Sequence, residues 1–185
     1  MRAGFVIQTQ SAEETEVLGT TAGKLLPAGF VLCLCGELGA GKTAFVRGLA
    51  RGIFGPDAIQ VTSPTYVLMH QYKGENNPNG SLYHIDAYRL GGSPTDSSCE
   101  FMGAGLGECL NQKNSWVCIE WPERVRGVLP ADRIEIEIEH LGEDLREIHL
   151  LATGPKAGKV IDELVLVAGT REMLLKTPPA PPSLS

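Results

Sequence analysis

Eight residues constrain this chain more than any others. Gly36-Glu37-Leu38-Gly39-Ala40-Gly41-Lys42-Thr43 fits the pattern G-x-x-x-x-G-K-[ST]. The apolar run Phe30-Val31-Leu32-Cys33-Leu34-Cys35 leads straight into it. A short apolar run without alternation predicts a strand buried on both faces, the kind a parallel sheet uses. Directly after the loop, Phe45, Val46, Leu49 and Ala50 recur at helical spacing against Arg47 and Arg51, with Gly52 and Gly55 as closing residues. Glycines let such a loop turn its backbone N–H groups inward, and the helix that follows presents its positive end to the same point. A lysine there reaches β- and γ-phosphates, and the hydroxyl after it ligates magnesium. The segment therefore predicts a nucleoside triphosphate site. Glu37, Leu38, Gly39, Ala40 and Gly41 would contribute backbone, and Lys42 and Thr43 side chains.

The rest of the chain supplies elements for an α/β domain. Ser11, then Glu13 and Glu14, then apolar Val17, Leu18, Ala22, Leu25 and Leu26 predict a capped amphipathic helix over residues 11–26. Leu82 to Ile85 predicts a strand followed by Asp86, and Trp116 to Ile119 a second buried strand, ending in Glu120. Ile134, Ile136 and Ile138 alternate with Glu135, Glu137 and Glu139, a strand with one wet face, and Leu145 to Leu151 is its expected hairpin partner. Residues 73–81 and 91–98 read as loops, Phe101 to Leu110 as a glycine-weakened helix, and Val160 to Ala168 as either helix or strand. The expected architecture is a three-layer P-loop NTPase-like α/β domain. Its central sheet would be mostly parallel, with an antiparallel hairpin near the C-terminal part. The expected boundaries are 1–157 for this domain, 158–176 for an extension, and 177–185 for a disordered proline-rich tail.

Composition excludes several function classes. The chain has 185 residues, about one domain. No apolar run approaches the roughly 18 residues of a membrane span, and no apolar leader opens the sequence, so a cytoplasmic protein without membrane contact is expected. Sixteen Lys and Arg stand against 22 Asp and Glu, a net charge of −6. Without a basic face, any RNA contact is expected to be indirect. Cys33, Cys35, Cys99, Cys109 and Cys118 show neither a disulfide framework nor zinc spacing, and read as small hydrophobes.

A phosphate site of this kind needs a second magnesium support, usually an acid at a strand end. Glu120 is the preferred candidate, because Val117-Cys118-Ile119 before it is so apolar, with Asp86 as the other. Between them and the loop lies Thr62-Ser63-Pro64-Thr65, stiffened by its proline. Ser63 or Thr65 is the candidate for contacting γ-phosphate or metal. His84 reads as a packed strand histidine rather than a base. Trp121 either stacks on a ring or fills a gap. The N-K-x-D signature of guanine recognition is absent. A small-molecule kinase would want a cluster of arginines, for which Arg124, Arg126 and Arg133 offer thin support.

Taken in order, Gly36 to Thr43, Thr62-Ser63-Pro64-Thr65-Tyr66, His84-Ile85-Asp86-Ala87-Tyr88-Arg89-Leu90, Glu100-Phe101-Met102-Gly103 and Ile119-Glu120-Trp121-Pro122-Glu123 resemble the TsaE family. The resemblance covers about residues 5–155. It implies a magnesium-dependent ATPase that assists a TsaB–TsaD complex in tRNA threonylcarbamoyladenosine modification and is slow alone. It also implies roles: Lys42 and Thr43 on phosphate and magnesium, Glu120 as the second magnesium ligand, Asp86 as required for hydrolysis, and Arg146 as a nucleotide contact. Residues 11–15 would lie near the base. The chain departs from the family at Ala44, at Ala87, and at Pro94 to Ser98 before Glu100. A small-molecule kinase and a non-hydrolysing nucleotide switch are the alternatives.

Overall fold

The computed structural model describes residues 4–56, 60–74, 77–169 and 175–176. The strands are β1 (Gly4–Thr9), β2 (Val31–Cys35), β3 (Met69–Gly74), β4 (Asn77–Asp86), β5 (Ser115–Glu120), β6 (Ile134–His140), β7 (Arg146–Ala152) and β8 (Leu175–Lys176). The helices are α1 (Ala12–Leu25), α2 (Lys42–Phe54), α3 (Pro94–Gly103) and α4 (Pro155–Gly169), with two 3-10 helices at Leu106–Asn111 and Pro122–Val128. One sheet runs β3-β4-β5-β2-β6-β7-β1-β8. Its central strands β4, β5, β2 and β6 pair in parallel. The pairs β3–β4, β6–β7, β7–β1 and β1–β8 are antiparallel. The α/β sheet with its parallel central strands and β6–β7 hairpin is the architecture the sequence implied.

Period-2 alternation in β2 divides the core. Leu32 and Leu34 face α1, α2 and α4, where Leu18, Phe45, Leu49, Ile161 and Leu164 meet them. Val31 and Cys33 face the other way, toward Phe101 of α3, Leu106 and Val125 of the 3-10 helices, and Ile85, Val117 and Ile119. Each fully buried leucine contributes about 2 kcal/mol. Three layers result, with β2 in the middle. Burial pushes the Cys33 thiol up to about 12 and holds Cys118 well above its ordinary value. Both pack as small apolar groups.

Helices α1 and α2 touch backbone to backbone. A Cβ on Gly48 would overlap the Glu16 carbonyl oxygen, and one on Gly19 would overlap that of Phe45. Gly52, expected to close α2, instead lies inside it, because its missing side chain admits the Thr20 carbonyl; Gly55 is the actual C-cap. Arg47 and Arg51 both pair with Glu16 across the same contact.

Several sequence expectations change. The loop at 91–98 begins α3 early, because Ser93 and Asp96 form a capping box around Pro94. The helix expected at 101–110 breaks at Gly105, whose φ is 76°, and continues as 3-10 turns. The loop at 73–81 is largely a β3–β4 hairpin. The boundary expected after residue 157 falls inside α4. Ala157, Val160, Ile161 and Leu164 enter the main core, so residues 158–169 belong to the same domain. Asp132, from the turn before β6, caps α4 by accepting from the Lys156 and Ala157 N–H groups, a long-range cap that local sequence does not reveal. β8 then adds to β1. The tail at 177–185 lies outside the described residues. Among the described residues, no helix is long and apolar enough to cross a membrane.

Candidate nucleotide site

The loop between β2 and α2 sits at the C-terminal edge of the parallel strands. Gly41 occupies the N-cap of α2 at φ 114°, with no side-chain cap. The first N–H groups of α2 therefore have no side-chain acceptor at Gly41, the arrangement that suits an anion. A residue with a Cβ at Gly41 would be strained and would press on the Arg146 guanidinium, 3.2 Å away. Lys42 is 4% exposed. Its Nζ donates to the carbonyls of Gly36 (2.8 Å) and Glu37 (2.9 Å) and lies 3.9 Å from Glu120 Oε2.

Glu120 ends β5 and is the hub of the site. Its Oε1 accepts from Thr43 Oγ1 at 3.3 Å and from His84 Nε2 at 2.8 Å. Asp86 stands beside it, in register on β4. It serves a different partner: Oδ2 accepts from Thr65 Oγ1 at 2.6 Å, and Oδ1 from the Tyr88 N–H at 2.9 Å. Ser63 Oγ and Thr65 Oγ1 are 2.8 Å apart. Thus one acid meets the end of the glycine loop, and the other meets the Thr62–Thr65 segment.

A cleft of about 600 Å³ opens between these groups, bounded by Lys42, Thr43, Thr65, Asp86, Glu120 and Trp121. Trp121 and Leu68 are non-glycine residues with positive φ, 58° and 64°; Trp121 lines the cleft, and the Leu68 carbonyl accepts from the Asp86 N–H at 2.9 Å. Strain of this kind, about 1–3 kcal/mol per residue, collects where a side chain must be aimed. Trp121 forms a wall: Lys42 Nζ is 4.7 Å from its ring centroid, and Tyr88 packs on it at 5.0 Å.

Comparison with known proteins gives the family. The family described as Threonylcarbamoyl adenosine biosynthesis protein TsaE matches residues 9–148. The chain belongs to the TsaE family. It is 41% identical over 143 residues to a Treponema pallidum protein named tRNA threonylcarbamoyladenosine biosynthesis protein TsaE, covering 76% of this chain and 95% of that one. A Bacillus subtilis protein of the same name is 34% identical over 157 residues, 85% of this chain and 91% of that one. The crystal structure of Bacillus subtilis YdiB superposes with a TM-score of 0.70 at 29% identity, covering 90% of this chain and 97% of that one.

Within this TsaE fold, other named residues support the loop from behind. Arg146, buried at the start of β7, donates to the carbonyls of Ala40 (3.2 Å) and Asp144 (2.7 Å). Ala40 is itself buried, and Leu38 is 90% exposed. The α1 N-terminus abuts the same corner: Ser11 caps it, and Thr15 bonds Thr9 at 2.9 Å. Arg133 lies at the opposite edge of the sheet, where it donates to Glu135 and Pro130. It cannot serve a phosphate clamp. Sequence reasoning missed His140, whose Nε2 meets the Gly39 carbonyl at 2.9 Å, and Tyr88 against Trp121. Only the placement of β6 beside β2 would have revealed His140.

Proposed function

We propose that this TsaE-family chain binds ATP with Mg2+ in the cleft between Gly36–Thr43 and Glu120 and hydrolyses it. We further propose that it acts in the cytoplasm on a TsaB–TsaD complex during tRNA threonylcarbamoyladenosine modification, reaching tRNA only through those partners. The observation that carries this reading is the convergence of Lys42 and Thr43, at the start of α2, with Glu120, 77 residues beyond Thr43 at the end of β5, on one cleft at the positive end of α2.

The chemistry follows from these groups. Phosphate oxygens take the free N–H groups at the start of α2, and Lys42 shifts from the Gly36 and Glu37 carbonyls toward the β- and γ-phosphates. The Thr43 hydroxyl and Glu120 carboxylate are hard oxygen donors 3.3 Å apart, a pair that would hold magnesium. When bound, that ion neutralises charge developing on the phosphates. Asp86 holds Thr65, and through it Ser63, at the rim where an attacking water must be oriented. Arg146 stiffens the loop, and Trp121 with Tyr88 walls off one side of the cleft. Positioning and electrostatics supply the catalysis.

The mouth of the cleft supports a protein partner. Leu38 and Tyr66 are 90% and 88% exposed, and Val67 and Tyr88 stand with them. Scattered exposed apolar groups are ordinary, but Leu38, Tyr66 and Tyr88 all line this one cleft, with Val67 next to Tyr66, and this grouping supports reading its mouth as a contact surface. ATP hydrolysis is therefore expected to be slow for the isolated protein and to rise about tenfold or more with the TsaB–TsaD pair, as when a partner completes a phosphoryl-transfer site. A rate unchanged by the pair, with no association between them, would remove the partner half of the reading. Phosphate transferred to a metabolite instead of water would make the protein a kinase.

A further inference from the structure

His84 lies on β4, between β3 and β5, and is fully buried. Its Nε2 meets Glu120 Oε1 at 2.8 Å, while its Nδ1 is buried with no hydrogen-bond partner. A carboxylate only accepts, so Nε2 carries the proton of this bond, and Nδ1 is left without a partner. The polar ring thus sits on the sheet face of Leu82 and Cys118 with a single bond, directed at the acid that meets Thr43 and Lys42. Burying a polar group costs about 1–3 kcal/mol when it is left unsatisfied. A leucine would fill the same place in the sheet without that cost.

We infer that His84 is a positioning residue for the magnesium site. By tying down Oε1, the oxygen that Thr43 also meets, it keeps the Glu120 carboxylate facing Thr43 and stops Oε2 from closing further onto Lys42 Nζ, 3.9 Å away. A Glu120 closed onto Lys42 would withdraw one group from the metal and the other from phosphate. Groups that orient a metal ligand in this way typically change metal affinity about 10- to 100-fold when removed. The inference rests on the reading of the cleft as a Mg-ATP site.

The test compares wild type, His84→Leu and His84→Gln. Gln places an amide N–H at about the reach of Nε2. A fluorescent ATP analogue is titrated with and without Mg2+, hydrolysis is followed against Mg2+ concentration, and melting is recorded for each protein. His84→Leu is expected to melt no lower than wild type and to bind the analogue equally well without Mg2+. Its gain in affinity on adding Mg2+ should vanish, and half-maximal hydrolysis should need about 10- to 100-fold more Mg2+. His84→Gln should recover most of that response. If the leucine variant does not fold, His84→Asn, whose amide stops short of Glu120, replaces it with the same expectation. Wild-type Mg2+ dependence in His84→Leu, or a glutamine variant no better than leucine, would overturn the positioning role. A wild-type protein whose nucleotide binding ignores Mg2+ would overturn the underlying site reading as well.

Discussion

Glu120→Ala is expected to lower ATP hydrolysis about 10²- to 10³-fold, the scale seen when a group that stabilises transition-state charge is removed. Glu120 links Thr43, His84 and Lys42. Without it, magnesium loses its protein carboxylate, and the His84 N–H becomes a buried donor with no acceptor, a loss of about 1–3 kcal/mol of stability. Glu120→Gln separates the two effects. It preserves shape and an acceptor for His84 but removes the charge, so its melting temperature should stay near wild type while turnover falls as in the alanine variant. Phosphate release and a melting curve on each variant check this. Turnover within about twofold of wild type in Glu120→Gln would show that the charge plays no part.

Gly48→Ala should be the most destabilising small substitution in the fold. Its methyl group would overlap the Glu16 carbonyl, and helix backbones cannot yield as a side-chain tip can. The helices must separate, at a cost of about 3 kcal/mol or more. For a domain of this size, that lowers the melting temperature by about 6–12 °C. Activity should fall with it, because α2 carries Lys42 and Thr43. Gly158→Ala, on α4, is the control: nothing lies within 4 Å of its added methyl. It should stabilise by about 0.5–1 kcal/mol. Equal melting temperatures for the two variants would mean that α1 and α2 are not in backbone contact.

The contrast between these sites explains what was legible in the sequence. Gly36 to Thr43 is a local device: one strand, one loop and one helix turn carry all of it, so eight contiguous residues suffice to read it. Buried β2 and β5 and the half-wet β6 show their periods directly. β3 and β1 do not. Met69–Gly74 is an edge strand with His, Gln and Lys in it, and Gly4–Thr9 is too short and mixed to show a pattern. α4 was ambiguous because its Val-rich run suits either element; a long-range cap from Asp132 and packing on the main core decide it. The same holds for the site. Lys42 and Thr43 were readable from the glycine loop, and Asp86 and Glu120 as acids at strand ends. That His84 bonds Glu120, 36 residues away, and that His140 meets Gly39, 101 residues away, depends on which strands are neighbours. Sheet order, not composition, fixes those contacts.

The central claim is that ATP is hydrolysed at the loop Gly36–Thr43. Phosphate release from ATP in the presence of Mg2+, measured for the purified protein beside Lys42→Ala, tests it most directly. The wild-type protein should turn over slowly but measurably, and Lys42→Ala should melt with a single cooperative transition yet release phosphate at least about 10²-fold more slowly. A folded Lys42→Ala protein that releases phosphate at the wild-type rate would place the chemistry elsewhere.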